Sequence, residues 1–441
     1  MSEDRLIDIG PGAAQPTPAP RVGTPRIQRA NRAQVEWRAV SGDALLPPEH
    51  RARDVWAFVD GLDLTALYNQ VQAMEQQPGR APIDPKILMA IWIMGTLDGI
   101  GSARELDRFC NEHTAYQWIC GGVSVNAHTI SDFRRANVAT FRQVLVHSVA
   151  VLMHQGLVDL CRVAQDGVRV RASAGAASFR RRPTLEECLK EAKEQVAALH
   201  DANEDDATAT KRQRAARERA ANDRVARISE ALRQMPEIEA TKEKYRKKGE
   251  AVTERNAPRA STTDPDARVM KMPDGGYRPA HNVQFATDTK TQVIVGVSVS
   301  NSGTDYGQMP PMVKQVNAEH GKKPNEILID GGFVSIEDIE SVSQSGAKVY
   351  APVKKPKNPA LDPHAPKQGD SEAIAEWRTR MGTDEAKEIY KERAASAECV
   401  NAKARGHGLT QFLVRGTEQA LGVALLAAIA HNVVRALTLS G

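Results

Sequence analysis

Aromatic side chains are scarce in this sequence: Phe, Trp and Tyr together reach 5% of the residues. With so few rings and so much alanine and aliphatic content, the composition suits a helix-rich soluble protein. Cysteine is scarce as well. The five residues Cys110, Cys120, Cys161, Cys188 and Cys399 are odd in number, widely spaced and without a CxxC pair. That pattern argues against a zinc finger and against a disulfide framework, and fits reduced thiols in a cytosol. Neither sign of charge dominates. Lys and Arg number 59 against 55 Asp and Glu, a net charge of +4, so the bulk balance does not announce a nucleic-acid partner. A local basic face could still neutralise phosphates, because that depends on where charges sit. No apolar run reaches the roughly 20 residues needed to cross a bilayer; the nearest, Ala420–Ala430, is short and gives way to His431 and Asn432. The start, MSEDRLIDIGPGAAQPTPAPR, has no apolar core behind a basic flank and does not read as a signal peptide. At 441 residues the chain has room for two or three domains.

The order of compositions along the chain separates several regions. Residues 1–30 are rich in Pro, Gly and Ala and read as a disordered tail. Residues 31–155 read as helical. Asp84-Pro85 is a helix start, followed by Ile87, Leu88, Ile91, Trp92 and Leu97 at helical spacing. Ser102 with Glu105, and Thr129 with Asp132, have capping-box spacing. Short helices with glycine turns are compatible with a helix-turn-helix DNA reader and with any small helical bundle, and the bundle has the larger share. Leu160, Val163, Val168 and Val170 flank Asp166-Gly167 and read as strand, turn, strand over 156–175. Residues 179–258 are dense in Lys, Arg, Glu and Ala, with two apolar stripes and a break at DANEDDATAT, the pattern of two long charged helices. Runs such as Lys211, Arg212 and Arg214, or Lys244, Arg246, Lys247 and Lys248, could touch DNA or pair protomers; their mixed charge suits a solvated hairpin better. From 259 the pattern returns to strands. HNVQFATD and QVIVGVSVS make a hairpin turning at 288–291, a helix covers Met309–Glu319, and EILID is a strand ending on Asp330. A helix over Ile336–Ser345 then leads to the strand KVYAPV. This alternation predicts an α/β core. Residues 356–383 read as a Pro-rich loop and 384–438 as helical.

Asp166 and Asp330 stand out because each follows an apolar strand-like run and precedes a glycine. Two carboxylates on strand ends that share a cleft repel one another unless a cation lies between them. Magnesium prefers such hard oxygen ligands and needs few of them. Taken alone, either Asp-Gly is equally the commonest hairpin dipeptide, and the turn is the favoured reading.

The motifs AQDGVRVRASAG, STTDPDARVMKMPDGGYRPAHNVQFATD, ILIDGGFVSIEDI and VRGTEQALGVALLAAIAHNVVR, in this order, resemble the DDE transposases of bacterial insertion sequences. EHRARDVWAFVDGLDL and GSARELDRFCNEHTAYQWICGGVSVNAHTISDF resemble that group's helical N-terminal domain. The resemblance runs from about residue 45 to the end. It implies an RNase H-like mixed sheet flanked by helices, a helical N-terminal DNA-binding domain (31–155), a catalytic domain formed by 156–178 and 259–441, and a helical insertion (179–258). It places Asp166 on the first strand and Asp330 just after the fourth. The third acid belongs to a Tyr, Arg, Glu and Lys signature, which falls on Tyr390, Arg393 and Glu398, with Arg405 standing where the family has Lys, seven residues beyond Glu398. Lys403, five residues beyond, points away from that face. The Arg393-to-Glu398 gap is one residue longer than the common signature. Glu392 and Glu418 are rivals for the third acid.

With the resemblance come expectations of function. Asp166, Asp330 and Glu398 would be catalytic and would hold two Mg²⁺ ions, with Mn²⁺ substituting. Tyr390, Arg393, Lys403 and Arg405 would contact DNA, with Arg134 and Arg135 on the helix after Thr129 as the N-terminal DNA contacts. His281, Asn282 and Asp305 would shape the cleft. The partners would be double-stranded DNA, as element ends and as target, and further copies of the chain, in a dimer or higher assembly without a membrane, in the bacterial cytoplasm at the nucleoid. The rival readings are an inactive or domesticated transposase that only binds DNA, and a general RNase H-like nuclease.

Overall fold

The computed structural model describes residue 39 and residues 41–71, 81–205, 210–244, 246, 253 and 257–440. The predicted tail, the Lys247-Lys248 run and the tip between the two charged helices lie outside the described residues. Short helices come first: α1 (Arg51–Asp60), α2 (Thr65–Tyr68), α3 (Pro85–Leu97), α4 (Ala103–Glu112), α5 (Thr114–Cys120) and α6 (Ala127–Ala136), then the longer α7 (Val138–His154). As the sequence predicts, Asp84 caps α3, its carboxylate accepting from Lys86 N at 2.9 Å, with Pro85 in the first turn. Such a cap contributes about 1 kcal/mol. Every residue from Ile87 to Met94 is buried, so α3 is a central helix surrounded by others. Ser102 caps α4 through Glu105 N. The cap of α6 is Asn126, whose side chain accepts from Thr129 N at 3.0 Å, so the helix begins before Thr129.

The largest departure from the sequence reading is at Asp166-Gly167. There is no turn. Residues Arg162–Arg171 form one unbroken strand, β1, with Asp166 and Gly167 at its middle. The reason is pairing: all of Val163–Arg171 lies against a long antiparallel partner, Ala280–Asp288, and two ladders outweigh a local turn preference. The remaining strands are β2 (Phe179–Arg180), β3 (Ala260–Ser261), β4 (Arg268–Lys271), β5 (Tyr277–Asp288), β6 (Ile294–Ser300), β7 (Glu326–Leu328) and β8 (Lys348–Tyr350). The main sheet runs β4-β5-β1-β7-β8, and β6 also pairs with β5. β5 is antiparallel to β1 and β6, whereas β1, β7 and β8 are mutually parallel. Three antiparallel strands followed by two parallel ones, with the first strand at the centre, is the RNase H-like arrangement. The β5–β6 turn lies where predicted: Asp288 accepts from Thr291 N and Oγ1 at 2.9 and 2.7 Å.

Side-chain alternation divides β1 between two cores. Val168 and Val170, with Val283 and Phe285 of β5, face the core shared with the N-terminal helices. Gln165, Gly167 and Arg169 point the other way. Between β2 and β3 the chain makes the two charged helices, α8 (Arg182–Asp205) and α9 (Lys211–Lys244). They pack on each other through Leu185, Ala192, Ile228, Ala231 and Met235.

After β6 come α10 (Met309–His320), α11 (Ile336–Gln344), α12 (Glu372–Gly382), α13 (Asp384–Arg393), a π-helical turn over Ala394–Glu398, α14 (Cys399–Gly406) and α15 (Thr417–Ser440). Helix α12 corrects the Pro-rich loop reading of 356–383. Its Ile374, Trp377, Arg378 and Met381 are buried at helical spacing, a periodicity that the flanking prolines and charges obscure. The helical reading of 384–438 is broken at 407–416, where Gly408 and Gly416 adopt positive φ. By length and hydropathy the 23 residues Thr417–Leu439 could span a membrane, in contrast to the sequence reading, and two thirds of their apolar 18-residue window is buried. Its alanines and leucines fill the core that α3, α7 and β6 share.

Candidate active site

Asp330 lies two residues beyond β7, and β7 runs parallel to β1 with Leu328 opposite Ala164. Ile329 N continues the ladder onto Tyr350 O at 3.0 Å. Two residues further along each chain bring Asp166 and Asp330 to neighbouring strands, on the same face by the two-residue alternation. The two carboxylates are held alike. Gly167 N donates to Asp166 Oδ1 at 2.9 Å, and Gly332 N donates to Asp330 Oδ1 at 2.8 Å. The second oxygen of Asp166 accepts from Asn401 Nδ2 of α14 at 3.0 Å.

Opposite them stands Arg393, the last residue of α13. Its Nη1 is 3.8 Å from Asp166 Oδ2 and its Nη2 bonds Glu398 Oε1. Burial works against its charge, but Tyr390, Asp166, Glu398 and Asp330 together hold the guanidinium above its ordinary pKa. All three predicted acids therefore act on one cation. The π turn explains how Glu398 reaches it. A π turn takes one residue more than an α turn, so Arg393 and Glu398, five apart, face each other as residues four apart do in an α-helix. The five-residue gap between them coincides with this turn. Among the described residues no three His, Cys, Asp or Glu side chains stand close enough together to hold one ion; Arg393 stands between Asp166 and Glu398 instead.

The other predicted residues divide. Tyr390 is half-buried, its ring centroid 5.9 Å from the Arg393 guanidinium carbon, and burial is the main cause that raises its phenol pKa. Arg405 is exposed. Lys403 turns to Gln292 Oε1 at 3.1 Å, consistent with its pointing away from the Arg405 face. Arg135 is exposed, 3.9 Å from Asp132, whereas Arg134 is buried: it lies 4.2 Å from the Trp92 ring centroid and donates to Gly101 O at 2.9 Å. Burial lowers the Arg134 pKa to about 10. Of the rival acids, Glu392 is taken by Arg162 and by Thr289 Oγ1 at 2.9 Å, and Glu418 is exposed in the first turn of α15. His281 is a buried structural group, 3.1 Å from the buried Asp264. Asn401 escaped the sequence reading, since an asparagine in a helix carries no signal of its own.

A family described as Transposase DDE domain matches residues 257–433, and one described as Transposase domain (DUF772) matches residues 40–136. Together they cover more than half of the chain. The chain belongs to the insertion-sequence DDE transposases. Asp330 and Glu398 of this transposase lie inside the DDE match, while Asp166 falls between the two matches, on the far side of the helical insertion. No curated protein and no solved structure matches the chain.

Transposases of this family generally use divalent metal ions. Burial pushes the Asp166 carboxyl up to about 6; Arg393 opposes the rise, and the charges of Asp330 and Asp305 add to it. Beside it, Asn401 Oδ1 is buried and has no hydrogen-bond partner among the described residues. Hard oxygens in excess of the positive charge available are what a small divalent cation relieves.

A stability effect follows. The folded pKa of Asp166 lies above the unfolded value, so folding takes up a proton between about pH 4 and 6, and the metal-free protein loses stability as pH rises through that window. At pH 7 the charge costs about 2–3 kcal/mol. Thermal melts in chelator should show Asp166→Asn more stable than wild type at pH 7 and equal to it near pH 4. Equal midpoints at both pH values would rule out the buried charge.

Proposed function

We propose that this transposase binds the terminal inverted repeats of its own element, hydrolyses one strand at each end, and joins the freed 3′-hydroxyl to target DNA. The observation that carries the reading is the placement of Asp166 and Asp330 on neighbouring parallel strands, with Arg393 joining Asp166 to Glu398. The three acids come from β1, from the end of β7 and from the π turn. Asp166 and Asp330, with Glu398 as the third acid, would hold Mg²⁺ ions, which when bound supply charge neutralisation at the scissile phosphate and lower the pKa of the attacking hydroxyl. The chain's own contributions are positional. Gly167 N and Gly332 N fix one oxygen of each aspartate. Asn401 fixes the second oxygen of Asp166. Arg393 would keep Glu398 at the rim and contact a phosphate of the bound end, and exposed Arg405 would contact the next.

In the first step an oxygen of water bonds to phosphorus and the 3′-oxygen leaves with a proton. In the second step that 3′-oxygen bonds to a target phosphorus and releases a target 3′-hydroxyl. Both are phosphoryl transfers, so no side-chain nucleophile is required. The helical segment 31–155, with Arg135 outward, would contribute to DNA binding. A dimer or larger assembly would hold the two ends, in the bacterial cytoplasm at the nucleoid. Labelled duplexes carrying the element's ends, incubated with Mg²⁺ and a target plasmid, are expected to give nicked ends and joined products. Chelator should abolish both. Equal cutting of duplexes lacking the ends would instead indicate a general nuclease.

A further inference from the structure

Asp305 lies in the loop before α10, outside the three-acid signature, yet its carboxylate reaches the residues beside both site aspartates. An ideal Cβ on Gly167 would lie 2.5 Å from Gln284 Nε2, 2.9 Å from Asn282 Oδ1, and closer still to Asp305 Oδ1. The missing side chain of Gly167 is therefore the space that Asp305 fills, from the sheet face opposite Asp166. A Cβ on Gly332 would lie 3.6 Å from the other oxygen, Asp305 Oδ2. These two glycines carry the N–H groups that hold Asp166 Oδ1 and Asp330 Oδ1.

Asp305 is itself firmly held. Its Oδ1 accepts from Asn282 Nδ2 at 2.8 Å and from Gln284 Nε2 at 2.7 Å. Arg169 Nη2 stands 3.5 Å from Oδ2, and the Asp305 carbonyl accepts from Gln308 N at 3.2 Å. Asn282 and Gln284 are fully buried on β5, and Gln165 Nε2 of β1 extends the belt to Gln284 Oε1 at 3.0 Å. Burying so many polar groups under one carboxylate is costly, and the bonds that Asp305, Asn282, Gln284 and Gln165 Nε2 make with one another offset that cost and favour one geometry, with Gln165 Oε1 and Arg169 Nε left without a partner among the described residues.

We propose that Asp305 is a positioning residue: wedged against Gly167 and Gly332, it locks β1 to the loop after β7 and so sets the relative placement of Asp166 and Asp330. The inference rests on the proposed function, since it concerns how the two aspartates are presented to a divalent cation. It also explains why Asp166 is followed by glycine without a turn there: any side chain at Gly167 would displace Asp305.

The test is Mn²⁺ affinity of the full chain without DNA, read by electron paramagnetic resonance of free Mn²⁺, together with thermal melts. Loss of a residue that orients metal ligands weakens metal binding about 10- to 100-fold. D305A is expected to fall in that range. D305N, which keeps an oxygen for Asn282 and Gln284, should stay within about 3-fold of wild type, because the role is shape and hydrogen bonding. Wild-type affinity in D305A overturns the proposal. So does a D305N loss as large as that of D305A, which would mean that charge alone matters. If D305A does not fold, G167A decides: it retains every hydrogen-bonding side chain and should weaken Mn²⁺ to the same degree, and a folded G167A with wild-type affinity overturns the proposal. D166N separates the two levels. Mn²⁺ binding that D166N leaves unchanged sinks the metal-centre reading and this inference with it, whereas binding lost in D166N but unaffected by D305A sinks this inference alone.

Discussion

Asp166→Asn and Asp330→Asn should each reduce strand cutting by about 10³-fold or more, equivalent to about 4 kcal/mol of transition-state stabilisation. Neither change should unfold the protein. An amide fits each site sterically, and its oxygen can still accept from Gly167 N or Gly332 N. Removing a buried charge from Asp166 is stabilising without metal, by the same argument that places its pKa near 6. Loss of cutting with a raised melting temperature is therefore the signature of this site, and it separates loss of chemistry from loss of fold. End binding, measured by mobility shift, should persist in both variants, because phosphate contacts rest on basic side chains. A variant at either position that cuts at the wild-type rate removes that aspartate from the chemistry.

The second large effect concerns the third acid. Glu398→Gln is expected to lower cutting by about 10²-fold or more, whereas Glu392→Gln should leave cutting within a few-fold of wild type. The two glutamates lie close in sequence but do different things. Glu392 joins α13 to the start of β1 through Arg162 and to the β5–β6 turn through Thr289. That half-exposed ion pair contributes about 1 kcal/mol or less, so its loss appears in the melting temperature. Glu398 is half exposed and, among the described residues, bonded only to Arg393, which itself stands against Asp166. Freeing Arg393 in Glu398→Gln should also strengthen its pairing with Asp166, so the variant should bind Mn²⁺ more weakly than wild type. The reverse ranking of the two glutamines would place the third acid at Glu392.

Much of this was legible in the sequence, and what was not has physical reasons. The apolar run EILID and its Asp, the β5–β6 hairpin, the caps at Asp84 and Ser102, and the two charged helices are local signals, and local signals survive folding. Asp166-Gly167 misled because dipeptide preference is weak against two neighbouring ladders, and because the glycine is there for a distant carboxylate, Asp305. Helix α12 was hidden by prolines in the preceding loop, although Ile374, Trp377, Arg378 and Met381 carry its periodicity. The π turn at Ala394–Glu398, which brings Arg393 and Glu398 together across their five-residue gap, left no local signal in the sequence. Arg134 could not be separated from Arg135 by sequence, since both end the same helix; only packing shows that one stacks on Trp92 while the other faces outward. The polar belt of Gln165, Asn282 and Gln284 did leave a trace: amides at alternate positions of a central strand have no place in an apolar core unless a polar group waits opposite.

The central claim is that Asp166 and Asp330 form the cation-binding heart of a strand-cutting centre. Anomalous diffraction from crystals grown with MnCl2 tests it most directly. The account predicts a manganese peak bonded to oxygens of both Asp166 and Asp330, and its absence in Asp166→Asn crystals. Manganese bound elsewhere with both aspartates empty, or a peak that survives Asp166→Asn unchanged, would contradict it.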